Sequence, residues 1–154
     1  MAELDPIFGD PRLAARYVTY QVKGNLLAAR PRYVIERWGQ DEAARLIEAL
    51  SSSARAVLRQ TILPFGWYPM AIMAEVDRAI LEGPMGGDIE QMQTFGSAIA
   101  RYDLSTLYKV LFRIGTPAFV LRRMNVAYST YIRGGWMRSE TPTAQSGRVT
   151  MAPA

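Results

Sequence analysis

Trp67-Tyr68-Pro69-Met70-Ala71-Ile72-Met73-Ala74-Glu75-Val76-Asp77-Arg78-Ala79-Ile80-Leu81-Glu82 is the stretch that decides the fold class. Ile72, Met73, Val76, Ala79 and Ile80 recur at three- and four-residue intervals, the period of an amphipathic helix. Glu75, Arg78 and Glu82 fall mostly on its other side, and Arg78 and Glu82 have i, i+4 spacing. Pro69 is expected at the first helical position, where a missing N–H costs nothing. Leu63-Pro64-Phe65-Gly66 breaks the segment before it, and Gly83-Pro84-Met85-Gly86-Gly87 is a loop after it.

The same period extends in both directions. Toward the N-terminus, Pro31 suits a first helical turn, Tyr33, Val34, Arg37 and Trp38 follow, and Gly39 is a stop. Asp41 is placed to cap a helix with the stripe Ala44, Leu46, Ile47 and Leu50. Ser51–Ser53 offer a cap for Ala54, Val57, Leu58 and Ile62. Toward the C-terminus, Asp88 caps a helix carrying Ile89, Met92, Phe95, Ile99 and Tyr102. Gly96 within it reads as close packing or local weakness. Asp103 caps Leu104, Leu107, Tyr108 and Leu111. Thr116-Pro117 is a cap followed by proline at the first position, and Phe119, Val120, Met124 and Tyr128 trace a helix to about Tyr131. After Gly134-Gly135 the period changes. Trp136–Thr141 and Arg148–Met151 read as two short strands around a turn from Pro142 to Gly147.

The 154-residue chain of 17.2 kDa has the size of one ordinary domain. Apolar residues make up 49% and charged residues 21%, the balance of a globular protein. It contains neither Cys nor His, which removes disulfides, Cys/His zinc sites, cysteine nucleophiles, Ser-His-Asp triads and His-ligated haem. No cofactor is expected. The first 30 residues lack the apolar core of a signal peptide, and no apolar run approaches a bilayer span, so a cytoplasmic location is the default. Charge is uneven. Residues 101–154 hold eight basic and two acidic groups, a net of +6, against −3 for residues 31–100 with six basic and nine acidic groups. A solvated basic surface explains this more simply than a phosphate, an acidic lipid surface or an acidic partner does.

Four sets of residues invite a functional reading. Phe65-Gly66-Trp67-Tyr68-Pro69 combines apolar bodies with polar handles, as a pocket wall does, although packing a loop onto the core explains it more simply. Arg113, Arg122, Arg123, Arg133 and Arg138 accompany Tyr128, Tyr131 and Trp136. Arg122 and Arg123 project about 100° apart on a helix, however, and no nucleic-acid-binding signature is present. Glu75, Asp77, Glu82, Asp88 and Glu90 are carboxylates, but Glu75 and Asp77 are two apart on a helix and point apart, so no metal site is expected. Gly83–Gly87 lacks the strand and Lys-Ser/Thr ending of a phosphate loop. The methionines, Met73 among them, are core fillers first and an apolar ligand surface second.

A series of landmarks runs in one order. It comprises Val22-Lys23-Gly24, Tyr33–Gly39, Gly66-Trp67-Tyr68-Pro69, a Gly/Asp loop, Gly115-Thr116-Pro117 to Arg122-Arg123, and Tyr131–Gly135. This order resembles an uncharacterised bacterial family enriched in myxobacteria, over residues 22–151. Its opening also resembles haem–nitric-oxide-binding and related helical sensor domains. The resemblance implies a helical fold and a sensor-like role. The haem-ligand His of those relatives is missing here, so haem binding does not carry over. Members of such families usually continue past the first hairpin, which makes this chain a short variant, a fragment or half of an assembly.

The expected fold is α+β, a mainly helical bundle of six to seven short helices with a C-terminal β-hairpin. Residues 1–21 are an N-terminal extension, 22–133 the helical domain, and 134–154 the hairpin and tail. The expected function is non-enzymatic: a bacterial sensor-like or regulatory domain with a small apolar ligand between helices, lined by Trp67, Tyr68, Met73, Arg123 and Tyr128. The alternative is a protein-interaction or assembly module acting through the last helix and hairpin, with a second copy of the chain among its partners. Nucleic acid and a membrane span are not expected.

Overall fold

The computed structural model describes residues 19–103, 116–143 and 146–153. The stripe expected over Leu104, Leu107, Tyr108 and Leu111 and the tip of the C-terminal turn lie outside them. The fold is α+β, with six helices and five short strands among the described residues. In chain order these are β1 (Gln21–Lys23), α1 (Gly24–Trp38), α2 (Gln40–Ala49), α3 (Ser52–Leu58) and β2 (Trp67–Pro69). Then come α4 (Met70–Glu82), α5 (Gln91–Asp103), α6 (Pro117–Tyr131), β3 (Ile132–Arg133), β4 (Gly135–Thr143) and β5 (Ser146–Pro153).

Helix α1 is the centre. Its Leu27, Tyr33 and Val34 are buried with Ala43, Leu46 and Leu50 of and after α2, Ala54 of α3, Ile72, Val76 and Ile80 of α4, and Phe95 and Ile99 of α5. Tyr33 meets Phe95 edge-on at 5.0 Å between ring centroids, a favoured aromatic geometry. The α4 stripe is buried as its spacing requires. On α2 the buried alanine is Ala43 rather than Ala44, and Ile89 before α5 is exposed rather than part of its stripe.

The sheet of β2-β1-β3 is antiparallel, and its first pairing moves two expected boundaries. Val22 pairs with Tyr68 and Gln21 with Pro69, so Trp67–Pro69 is a strand and not the opening of a helix. Pro69 therefore precedes α4, and the first helical N–H, on Met70, donates to the Tyr20 carbonyl at 2.9 Å. Likewise Pro31 lies inside α1 and not at its start. The helix begins seven residues earlier because β1 delivers the chain to Gly24 with its first two N–H groups already bonded to the Gly66 and Pro64 carbonyls.

Two of the expected caps form. Ser51 Oγ accepts from Ala54 N, and Thr116 Oγ1 accepts from Phe119 N with Pro117 next, as expected. Asp41 does not cap α2. Gly39, at φ 93°, both ends α1 and starts α2, and Asp41 sits in the first turn, where its charge still suits the helix dipole. Helix α3 stops at Leu58, short of Ile62. The hairpin forms with longer strands than expected, and Pro142 falls within β4. Helix α6 lies along β4, where Gly147 of β5 leaves room for Leu121.

Two glycines in helices separate packing from propensity. A Cβ on Gly24 would stand 2.0 Å from the Leu63 carbonyl oxygen and 2.8 Å from Tyr68 Cε2. Among the described residues a Cβ on Gly96 would meet nothing within 4 Å, so no close packing surrounds Gly96 there. Gly24→Ala is expected to cost about 1–3 kcal/mol by overpacking. Gly96→Ala should gain about 0.5–1 kcal/mol from helix propensity. Chemical denaturation of the two variants measures both, and equal effects would contradict this assignment.

Candidate functional site

Strand pairing decides which side chains share a face. Residues directly opposite in a sheet point the same way, and neighbours along a strand alternate. Gln21, Lys23, Trp67, Pro69 and Arg133 therefore lie on one face of the small sheet, and Val22, Tyr68 and Ile132 on the other. Val22 is fully buried, so its face is the inner one. On the outer face the Lys23 ammonium stands 4.3 Å from the Trp67 ring centroid and the Arg133 guanidinium 3.8 Å from it. Two cations thus share one indole, which supplies electron-rich surface to both.

The five residues expected to line a ligand pocket do not converge. Trp67 is on the outer face. Tyr68 is on the inner face, its ring against Gly24 and Gly66 and its hydroxyl accepting from Leu63 N at 2.9 Å. Tyr68 and Met73 both pack against the helical core. Arg123 is exposed on α6, its guanidinium 5.6 Å from the Phe119 ring one turn earlier. Tyr128 is half-buried on the same helix. Trp67 and Tyr68 are adjacent in sequence, and strand alternation separates them.

The basic set is likewise dispersed. Arg122 and Arg123 are both exposed on α6, Arg133 is over Trp67, and Arg138 pairs with Glu140 at 3.1 Å along β4. Arg113 lies outside the described residues. The carboxylates divide as their spacing requires. Glu75 accepts from the Ser51 backbone N at 2.5 Å and its hydroxyl at 2.9 Å, tying α4 to the start of α3. Asp77 turns to α1. Asp88 accepts from Glu90 N and from the Gln91 side chain at the entry to α5. Among the described residues no three acidic groups gather as a metal site would need.

One polar contact between α1 and α4 joins residues that no motif in the sequence links. Arg30 Nε donates to Asp77 Oδ1 at 2.8 Å and Nη2 to Oδ2 at 3.2 Å, a two-point fork between α1 and α4. Arg30 Nη1 also donates to the Leu26 carbonyl, and its guanidinium lies 5.8 Å from the Phe95 ring of α5. A signal existed: Asp77 is four residues from Met73 and three from Ile80, on the buried stripe of α4, and Arg30 is three from Leu27 and four from Val34. A second link joins α1 to α5. Glu36 accepts from Arg32 at 2.9 Å and from the Tyr102 hydroxyl. The Tyr102 hydrogen bond, followed by that of Arg32, holds the Glu36 carboxyl below its ordinary value.

Burial pushes the Asp77 carboxyl above its ordinary value, and Arg30 offsets this only in part. The folded chain therefore holds the Asp77 proton more tightly than the unfolded chain does. Its contribution to stability falls as pH rises from the ordinary carboxylate value through the raised one, and is level above that. Arg30→Met removes the offset and is expected to cost up to about 3 kcal/mol at neutral pH, a figure discounted for the solvent that reaches the pair. Relative to the parent, that cost should shrink toward acid pH, where Asp77 is neutral in both. Asp77→Asn should remove this pH-dependent part altogether. Urea denaturation across pH measures all three, and a cost that grows toward acid would refute the assignment.

No family model, curated protein or solved structure matches this chain.

Proposed function

We propose that this chain is a non-enzymatic regulatory module that works by association, with a second copy as its partner and the α6–hairpin unit as its docking surface. The observation that carries this reading is the open edge of β5. The strand is eight residues long, and beyond β4 it pairs with no strand among the described residues. Natural edges of that length are usually guarded by charge, proline or a covering element. The sequence of β5 offers one charge, Arg148, and its proline only at the far end. A two-stranded ribbon is marginal by itself, and edge-to-edge pairing about a twofold axis would make it four-stranded.

The surrounding surface supports the same reading. Phe119 and Val126 are exposed one heptad apart on α6, and Trp136 and Val149 are exposed on opposite faces of the hairpin. The absence of Cys and His, and the engagement of Glu36, Glu48, Glu75, Asp77 and Asp88 in structural hydrogen bonds, support a role without catalysis. The reading with a small apolar ligand between helices is not favoured by the separation of Trp67 from Tyr68.

Native mass spectrometry of the purified chain tests association directly. The expected species is a dimer of the 17.2 kDa chain. Val149→Lys, which places a charge on the open edge, should weaken the dimer at least about tenfold, or ~1.4 kcal/mol, while leaving the helical core folded. A chain that stays monomeric at high concentration would refute the reading. A monomer carrying a bound small molecule would transfer the role to ligand sensing.

A further inference from the structure

We propose that the loop between α3 and β2 docks onto an anionic membrane surface, with Leu63 and Phe65 entering the lipid chains and Lys23 and Arg133 meeting the headgroups. Phe65 is 85% exposed and Leu63 61%. A single exposed apolar side chain on a loose loop calls for no explanation. This loop is not loose. Leu63 N donates to the Tyr68 hydroxyl at 2.9 Å, and Gly66 N to the Leu63 carbonyl at 2.9 Å. The Pro64 and Gly66 carbonyls accept from Asn25 N and Gly24 N, at 3.0 and 2.9 Å. The Phe65 carbonyl accepts from Lys23 Nζ at 3.3 Å. The backbone is tied at four successive residues, and the two apolar side chains are left turned to solvent.

The segments that carry the loop and its flanking strands hold basic residues and no acidic ones. Segments 19–24, 59–70 and 132–138 contain no Asp or Glu, and they supply Lys23, Arg59, Arg133 and Arg138. Arg59 is engaged by Glu48 and Arg138 by Glu140, whereas Lys23 and Arg133 face the Trp67 indole. An aliphatic and aromatic tip, an indole beside it and a basic rim follow the chemical order of a lipid interface: chains, aromatic belt, anionic headgroups. An acidic protein partner would satisfy the rim but not the two greasy side chains held out beyond it. This contact is peripheral, and among the described residues no helix is long and apolar enough to cross a membrane. The surface is separate from the β5 edge, so either proposal can fail alone.

Vesicle co-sedimentation tests it, using phosphatidylcholine alone and phosphatidylcholine with about a third phosphatidylserine. The parent chain should pellet with the anionic vesicles, less with the neutral ones, and less again as salt is raised. Phe65→Ser should lower the partition coefficient about tenfold with an unchanged melting temperature, since the side chain contributes little to the core. Arg133→Gln should narrow the difference between the two vesicle types. Val149→Lys should bind as the parent does. The proposal is overturned if the parent stays in the supernatant with both vesicles, or if Phe65→Ser binds equally well. It is also overturned if binding is indifferent to salt, or if Phe65 governs self-association and not vesicle binding.

Discussion

The close approach of Gly24 to the loop ahead of β2 is the constraint on which the displayed surface depends. The first residue of α1 has no side chain, so the Leu63 carbonyl and the Tyr68 ring occupy the space a Cβ would take. That contact brings the Gly66 and Pro64 carbonyls to the first two N–H groups of α1. It thereby caps the helix with backbone alone. It also holds residues 63–66 against β1, sets Trp67 opposite Lys23 and fixes the direction in which Phe65 projects. One missing methyl group links helix start, strand register and exposed tip.

A second constraint lies deeper. Arg30 ties α1 to α4 through Asp77 and lies beside Phe95 of α5. Partly buried ion pairs often contribute little net stability, because desolvation opposes the attraction. Here the raised Asp77 carboxyl records that opposition. The pair acts more as a register mark than as a source of stability. The rotation of α4 that presents Asp77 to the fork of Arg30 is the one that turns Ile72, Val76 and Ile80 into the core. With α4 fixed, β2 is fixed ahead of it, and so is the outer face of the small sheet.

Local chemistry was legible wherever it acted alone. Ser51 and Thr116 cap because their hydroxyls lie within reach of the N–H three residues on, and the stripe from Ile72 to Ile80 is buried because its period admits one inward face. Three of the misreadings share one cause, which is a tertiary partner that outcompeted a local preference. Pro69 has the chemistry of a helix start, yet pairing with Gln21 places it in a strand. Pro31 has the same chemistry, yet α1 begins at Gly24 because the loop supplies its cap. Trp67 and Tyr68 read as one aromatic wall until strand alternation sends them to opposite faces.

Spacing and composition alone determined the α+β class, the helical period, most of the core and the C-terminal hairpin, because periodicity and capping are properties of neighbouring residues. The absence of Cys and His also removed whole classes of chemistry before any fold was known. Tertiary structure alone decided the sheet that joins Lys23, Trp67 and Arg133, the fork between Arg30 and Asp77, and the rigid projection of Phe65. Each of these joins residues more than forty positions apart. Such contacts depend on loop closure and on the mutual rotation of packed helices, which no local pattern encodes.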